Sequence, residues 1–435
     1  MFERIAGYKN IKDELIQIRD WFLSEKTKQN KDIKLPKGIL FYGAPGNGKT
    51  LFVKEYSESF EVPVINIEGN EESICREIHT AFEESKKYDF SIIIIDEIDQ
   101  IVDGRKMVQR ALKEELDGVN SNNNVLVLAT TNSRITLDDA LLRSGRFDRL
   151  IRVECPDKDS RKELLAYYIK KLNIEGNIDY EYLSRIFQGT NGADITSILN
   201  DVLLRCGNTV TTEDIEESYE RIIERNIDNN RIFDPSKANI EIAYHEIAHS
   251  LMIHKYKDSF YFYKATFSPD YKEGYTKYFP VDENDVGSDF CYREIEIALA
   301  GHIVTKMMLK HLDSGCVSDL QKARSLAVRL VNKLGANGSD IILPYYDMHE
   351  RMETEVRRRK NERHIERIIR KSYRKVEKYL KEKLVEIESL KNIMMKKGFI
   401  TLQDLNNTID GIGGDSISTD SKTSNSNLVS NAITA

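Results

Sequence analysis

Gly43-Ala44-Pro45-Gly46-Asn47-Gly48-Lys49-Thr50, directly after the apolar run Gly38-Ile39-Leu40-Phe41-Tyr42, decides the fold of the first half of this chain. The octet fits GxxxxGK[ST]. Its glycines let backbone N–H groups wrap phosphate oxygens, and the helix that follows turns its positive end toward the same anion. A strand before the loop, a helix after it and a nucleoside triphosphate with Mg²⁺ between them are the expectation. Lys49 reaches the β- and γ-phosphates, Thr50 ligates Mg²⁺, and Leu51 follows on the nucleotide side. A glycine-rich surface turn would account for the loop alone, but not for its setting.

Working outward, four more apolar runs read as strands: 62–67, 91–95, 125–129 and 150–153. Helical patterns separate them, the mark of a mostly parallel sheet covered by helices. Ser91-Ile92-Ile93-Ile94-Ile95 has almost no polar position, as expected of a strand buried on both faces. It ends in Asp96-Glu97, where Asp96 is placed to hold the Mg²⁺ shell and Glu97 to polarise an attacking water. Asn132 follows the next strand at the same end of the sheet, where such folds bind ligands. From Asp157 to about Arg225 the pattern is helical, with Asp157 and Asp159 as N-cap candidates.

The second half carries different chemistry. In Ala243-Tyr244-His245-Glu246-Ile247-Ala248-His249 the two histidines are four apart, so on a helix they share a face and can bind one metal. Glu246 lies beside them, where a carboxylate can take a proton from water on that metal. Two histidines packing a helix would leave Glu246 unexplained. Zinc needs a third protein ligand, and spacing leaves Asp289, Glu294, Glu296, Asp313 and Asp319 open. His79, His254, His302, His311, His349 and His364 read as surface or core residues.

Composition sets the bounds. The 435 residues are enough for two or three domains, and 40% hydrophobic with 31% charged content is that of a globular protein. A net charge of −7 argues against nucleic acid as partner, and so against a nucleic-acid motor. No run of about 18 apolar residues spans a bilayer, and the N-terminus lacks a signal-peptide core. Cys75, Cys155, Cys206, Cys291 and Cys316 form no CxxC pair and read as free thiols. The basic run from Arg357 to Lys375 is interleaved with Glu362 and Glu366, as on a solvated helix face.

The combination resembles the FtsH family of AAA+ ATP-dependent proteases. The match rests on Leu35-Pro36-Lys37-Gly38-Ile39-Leu40, Ile95-Asp96-Glu97-Ile98-Asp99, Ala129-Thr130-Thr131-Asn132, Leu142-Arg143-Ser144-Gly145-Arg146-Phe147-Asp148-Arg149 and Gly192-Ala193-Asp194-Ile195. The fold it implies is an α/β AAA+ module, a parallel sheet covered by helices plus a helical lid, followed by a mainly α-helical zinc metalloprotease domain. The boundaries are 1–155 for the α/β part, 156–225 for the lid, 226–239 for a linker, 240–408 for the peptidase and 411–435 for a disordered tail. The resemblance places Ile5 and Ala6 with Gly7 on the adenine, Gly192 and Ala193 in the nucleotide-sensing turn, and Arg143 and Arg146 as fingers reaching a neighbour's site. It selects Asp319 as the third zinc ligand and Lys264–Phe279 as an edge hairpin beside the site. It also implies a homo-hexamer acting on polypeptides with ATP, Mg²⁺ and Zn²⁺, and an adaptor as a further partner.

Two departures stand out. The family's membrane anchor is missing ahead of residue 1, which makes a cytoplasmic protein without membrane insertion the expectation. At Glu68–Ser73 the family has a longer pore loop with an aromatic followed by glycine, while this chain has Glu-Gly-Asn-Glu-Glu-Ser. The second pore segment, Gly104–Gln109, is also short, and Tyr88 or Phe90 could stand in only if the fold departs from the one the resemblance implies. A remodelling ATPase whose peptidase takes only unfolded or adaptor-delivered chains is the alternative.

Overall fold

The computed structural model describes residues 1–24, 35–68, 73–118, 125–133, 137–223, 233–268, 271–310, 316–336 and 355–414. The chain divides into two compact units, Met1–Ile227 and Asp228–Ala435.

In the first unit, five parallel strands lie in the order β2-β3-β4-β1-β5. They are β1 (Gly38–Tyr42), β2 (Val64–Ile67), β3 (Ser91–Ile95), β4 (Val125–Thr131) and β5 (Phe147–Arg152). Side chains alternate across a strand, and the alternation splits the core in two. Ile39, Phe41, Leu126 and Leu128 pack with Leu15 and Ile18 of α1 (Lys9–Leu23) and Phe52 of α2 (Lys49–Glu58). Leu40, Val127 and Ala129 face α3 (Ile74–Ser85), α4 (Ile98–Val102) and α5 (Lys106–Gly118) on the other side. β4 runs two residues past its expected end, so Thr130 and Thr131 belong to the sheet. β5 starts at Phe147, earlier than expected, because Phe147 pairs with Gly38.

Four helices complete this unit: α6 (Lys158–Lys171), α7 (Tyr180–Ile186), α8 (Gly192–Cys206) and α9 (Thr212–Ile222). Each starts on a side-chain cap. Asp157, Asp179, Asn191 and Thr211 accept backbone N–H groups of the first turn, and the last two form capping boxes with Asp194 and Asp214. Asp159 lies inside the first turn of α6 and does not cap it.

The second unit is built round α10 (Ile240–Lys255), every residue of which is buried from Ala243 to Ile253. A helix buried on all sides needs neighbours on all sides. Those neighbours are α11 (Ser288–Leu309), α12 (Val317–Asn332), α14 (Leu384–Lys397) and a small sheet. The sheet pairs β6 (Phe260–Phe267) with β7 (Gly274–Pro280) as the expected hairpin. A third strand, β8 (Phe399–Thr401), was not foreseen and takes the far edge, giving the order β7-β6-β8. Its signal in the sequence is only three residues, Phe399-Ile400-Thr401, after the helix-ending Gly398.

The basic run lies on α13 (Glu355–Glu382), where Ile365, Ile368, Val376 and Leu380 form the buried stripe. On its outer side Arg324 makes a bidentate pair with Glu362 at 2.6 and 3.0 Å. The last helix, α15 (Leu402–Gly414), continues past residue 411, where the tail was expected to begin. The rest of that tail, 415–435, lies outside the described residues. Among the described residues no helix is long and apolar enough to cross a membrane.

Candidate functional site

The phosphate loop has the geometry its sequence calls for. Gly48 caps α2 with φ of +86°, and Gly43 has a Cβ position 2.1 Å from the Val153 carbonyl oxygen, so neither tolerates a side chain. Lys49 Nζ donates to the carbonyls of Gly43 at 2.9 Å and Ala44 at 2.8 Å, and to Asn132 Oδ1 at 2.7 Å. Burial pulls its amine below the usual lysine value, against the opposing pull of Asp99, Glu97 and Asp96. Asn47 Nδ2 ties the loop to the Val153 carbonyl at 2.9 Å, and Asn191 reaches the Pro45 carbonyl from the start of α8.

Thr50 Oγ1 donates to the Asp96 carboxylate at 3.0 Å, joining two groups suited to a hard cation's shell. Thr130 Oγ1 donates to the same oxygen at 2.6 Å and accepts the Glu97 N–H at 2.8 Å. That residue escaped the sequence reading, although it lies in the quoted Ala129–Asn132 segment. A cavity of about 360 Å³ opens beside the loop, lined by Ile5, Ala6, Gly46, Leu51, Gly192 and Ala193 among others. Ile5, Ala6, Leu51, Gly192 and Ala193 therefore border one space, whereas Gly7, also expected on the adenine, does not line it.

The two arginines differ. Arg146 is held within its own unit: Nε and Nη2 donate to the two oxygens of Asp117, each at 2.8 Å, and Nη1 donates to the Ala140 carbonyl. Arg143 is exposed, and its side chain makes no hydrogen bond or ion pair among the described residues. Residues 69–72, the core of the expected pore segment, lie outside the described residues. Phe90 packs on Phe22 and Phe60 in the core, and Tyr88 precedes β3 at the end of the sheet opposite the phosphate loop, so neither stands in for a pore aromatic. Met107, near the start of α5 in the expected second pore segment, is 79% exposed.

In the other unit, α10 brings His245 and His249 onto one face, their Nε2 atoms 3.0 Å apart. Asp319, in the first turn of α12, sets Oδ2 3.0 Å from one and 3.1 Å from the other. Zinc bonded at about 2.0–2.2 Å to tetrahedral ligands spaces them about 3.3 Å apart, so this triangle fits with a slight opening. The outer nitrogens are engaged elsewhere: His249 Nδ1 donates to the Ile297 carbonyl at 2.8 Å, and His245 Nδ1 lies 3.8 Å from Cys316 Sγ. Such partners fix which nitrogen faces the metal. Burial pushes the Asp319 carboxyl up, but hydrogen bonds from both histidines win and hold it well below the usual range.

Of the other ligands left open by spacing, Glu294 is committed to Lys322 at 2.6 Å and Glu296 to Lys375 at 2.9 Å, and Asp289 is exposed. Asp313 lies outside the described residues. His79 pairs with Glu115 and His254 with Asn406; His302 packs by Tyr373, and His364 is near Arg367. Glu246 is buried beside the ligands, and burial pushes its carboxyl up to about 7 despite the nearby His245 and a hydrogen bond from Thr276. The three ligands and Glu246 line a cavity of about 580 Å³ that runs along β7.

The family model of the ATPase family associated with various cellular activities (AAA) matches residues 39–155, and that of peptidase family M41 matches residues 232–408. The chain is FtsH-like. It joins an AAA module to an M41 peptidase domain, in the class of ATP-dependent zinc metalloproteases, with Zn²⁺ in one unit and ATP with Mg²⁺ in the other. The ATP-dependent zinc metalloprotease FtsH of Caldicellulosiruptor bescii is 27% identical, over 92% of this chain and 70% of its own length. FtsH 3 of Symbiobacterium thermophilum is 29% identical over 77% of this chain, which spans 57% of that relative. FTSH 11, chloroplastic/mitochondrial, of Arabidopsis thaliana is 28% identical over 93% of this FtsH-like chain and 52% of its own.

Proposed function

We propose that this FtsH-like chain is an ATP-driven endopeptidase working as a cytoplasmic homo-hexamer on polypeptides, with an adaptor supplying some of them. The observation that carries the reading is the convergence of His245, His249 and Asp319 to within about 3 Å with Glu246 buried beside them. Bound zinc supplies a Lewis acid that polarises a peptide carbonyl and acidifies water. Glu246 takes the proton from the attacking water and passes it to the leaving amine. Its burial beside the three ligands keeps the carboxylate within reach of both the water and the leaving amine.

β7 has only β6 beside it among the described residues. A substrate strand adding to its open edge would be held by backbone bonds along the cavity, with loose sequence preference. In the ATPase unit, Lys49, Thr50, Asp96, Glu97 and Asn132 handle MgATP, and Gly43 to Gly48 wrap its phosphates. Arg143 is the group free to reach a neighbouring subunit, while Arg146 braces the segment through Asp117.

The test is degradation of an unfolded, fluorescently quenched protein with ATP against ADP, by the parent and by Glu246→Gln. Cleavage that needs ATP in the parent, and falls more than about a hundredfold in Glu246→Gln with ATPase activity intact, is the expected result. Cleavage indifferent to nucleotide would break the coupling, and undiminished cleavage by Glu246→Gln would break the catalytic assignment.

A further inference from the structure

Strand residues two apart share a face, and on β7 the face toward α10 presents Gly274 and Thr276. Thr276 Oγ1 donates to Glu246 Oε2 at 2.7 Å and also lies 3.1 Å from the Glu246 carbonyl oxygen. At Gly274 a Cβ would sit 2.8 Å from Glu246 Cγ and 2.9 Å from its Oε1. Only a bare backbone fits there, closer than a side chain's neighbours normally come. The Glu246 carboxylate is therefore gripped at both oxygens by one strand: Oε2 by a hydroxyl, Oε1 by the wall at Gly274.

We infer that Gly274 and Thr276 are positioning residues that aim the Glu246 carboxylate, so the strand that takes the substrate also sets the base. The inference rests on the reading of Glu246 as general base given above. Holding Oε2 while Oε1 packs against Gly274 fixes the plane of the carboxyl group, and it stops the buried side chain from swinging to another rotamer. A base displaced by about 1 Å can lose about a hundredfold in rate without any loss of substrate binding. Strand pairing on the open edge of β7 would stiffen the same residues from behind, so the base is best aimed when substrate is present.

The experiment uses the full chain with ATP and the quenched unfolded protein, comparing Thr276→Val and Thr276→Ser. Valine keeps the shape and removes the hydroxyl. It should lower kcat about tenfold to a hundredfold, with KM within about twofold. Serine should restore kcat to within about threefold of the parent. Parental zinc content and ATPase rate report that each variant is folded. In a Glu246→Gln background Thr276→Val should cost nothing further, because it acts through the carboxylate. A Thr276→Val kcat at the parental value, a loss confined to KM, or an equal loss in the Glu246→Gln background would each overturn the inference. If Glu246→Gln itself cleaves at the parental rate, the base assignment falls first and this inference with it.

Discussion

Gly301 is a sharper probe of the metal centre than any ligand. It lies within α11, where its backbone touches the ring of His245: a Cβ would sit 2.5 Å from Cε1 and 2.6 Å from both ring nitrogens. Carbon atoms in good contact are about 3.5 Å apart, so Gly301→Ala requires the ring to retreat by about 1 Å. There is nowhere easy to go. His245 is buried, with Cys316 at its Nδ1 and Asp319 and His249 at its Nε2. Metal–ligand distances hold to about 0.2 Å, so a shift of this size removes one of three protein ligands. We expect zinc affinity to fall at least about a hundredfold, close to 2.7 kcal/mol. The helix pushes the other way, since alanine is a better helix former than glycine by about 1 kcal/mol. The variant should therefore stay helical while its metal leaves. Competition with a chromophoric chelator gives the affinity, zinc per chain gives occupancy, and circular dichroism gives the fold. A Gly301→Ala protein that keeps one zinc at parental affinity would refute the packing argument.

Two further outcomes follow from contacts elsewhere in the chain. Arg146→Ala should lower unfolding free energy by up to about 1 kcal/mol through loss of its pair with Asp117, whereas Arg143→Ala should leave the melting temperature unchanged. Both should lower ATPase activity, and mixing Arg143→Ala with Lys49→Ala chains should restore part of it if Arg143 serves a neighbour's site; no restoration would place its action within its own subunit. The metal-free protein should also show a pH dependence from Glu246. Its carboxyl is raised to about 7, while the unfolded one ionises near 4.5, so it adds no penalty below about 4.5. Above that the unfolded chain gives up its proton first, and the fold loses up to about 3 kcal/mol as pH rises toward 7. Melting curves of chelated parent and Glu246→Gln should diverge over that window, and parallel curves would contradict the burial argument.

What the sequence made legible was local. The phosphate loop, β3 with Asp96-Glu97, and the paired histidines each depend on residues within one or two turns of one another, where periodicity is a direct guide to geometry. Strand ends were less legible, because Phe147 joins the sheet through its pairing with Gly38 and not through any pattern of its own. The unforeseen β8 is the same case: three residues become a strand because β6 has an open edge to receive them.

The metal centre shows most clearly where such reading stops. Five carboxylates were equal by spacing; Asp289 is exposed and Asp313 lies outside the described residues, and what sets Glu294 and Glu296 apart from Asp319 is the lysine each one meets. Glu294 is neutralised by Lys322 and Glu296 by Lys375, partners from α12 and α13 that only packing brings near. A buried carboxylate that already holds an ammonium has its charge balanced and its oxygens engaged, so it makes a poor third ligand. Among the described residues Asp319 has no lysine partner; its Oδ2 is shared between two imidazole nitrogens. The same logic covers the residues that sequence reasoning gave no role. Thr276 and Gly301 carry no metal-binding chemistry, yet one holds the base and the other walls a ligand ring, each from an element far along the chain from α10. The HExxH helix supplies the reacting groups, and its neighbours supply their aim. Substitutions at Gly274, Thr276 and Gly301 should therefore separate the two, altering geometry while every reacting side chain is still present.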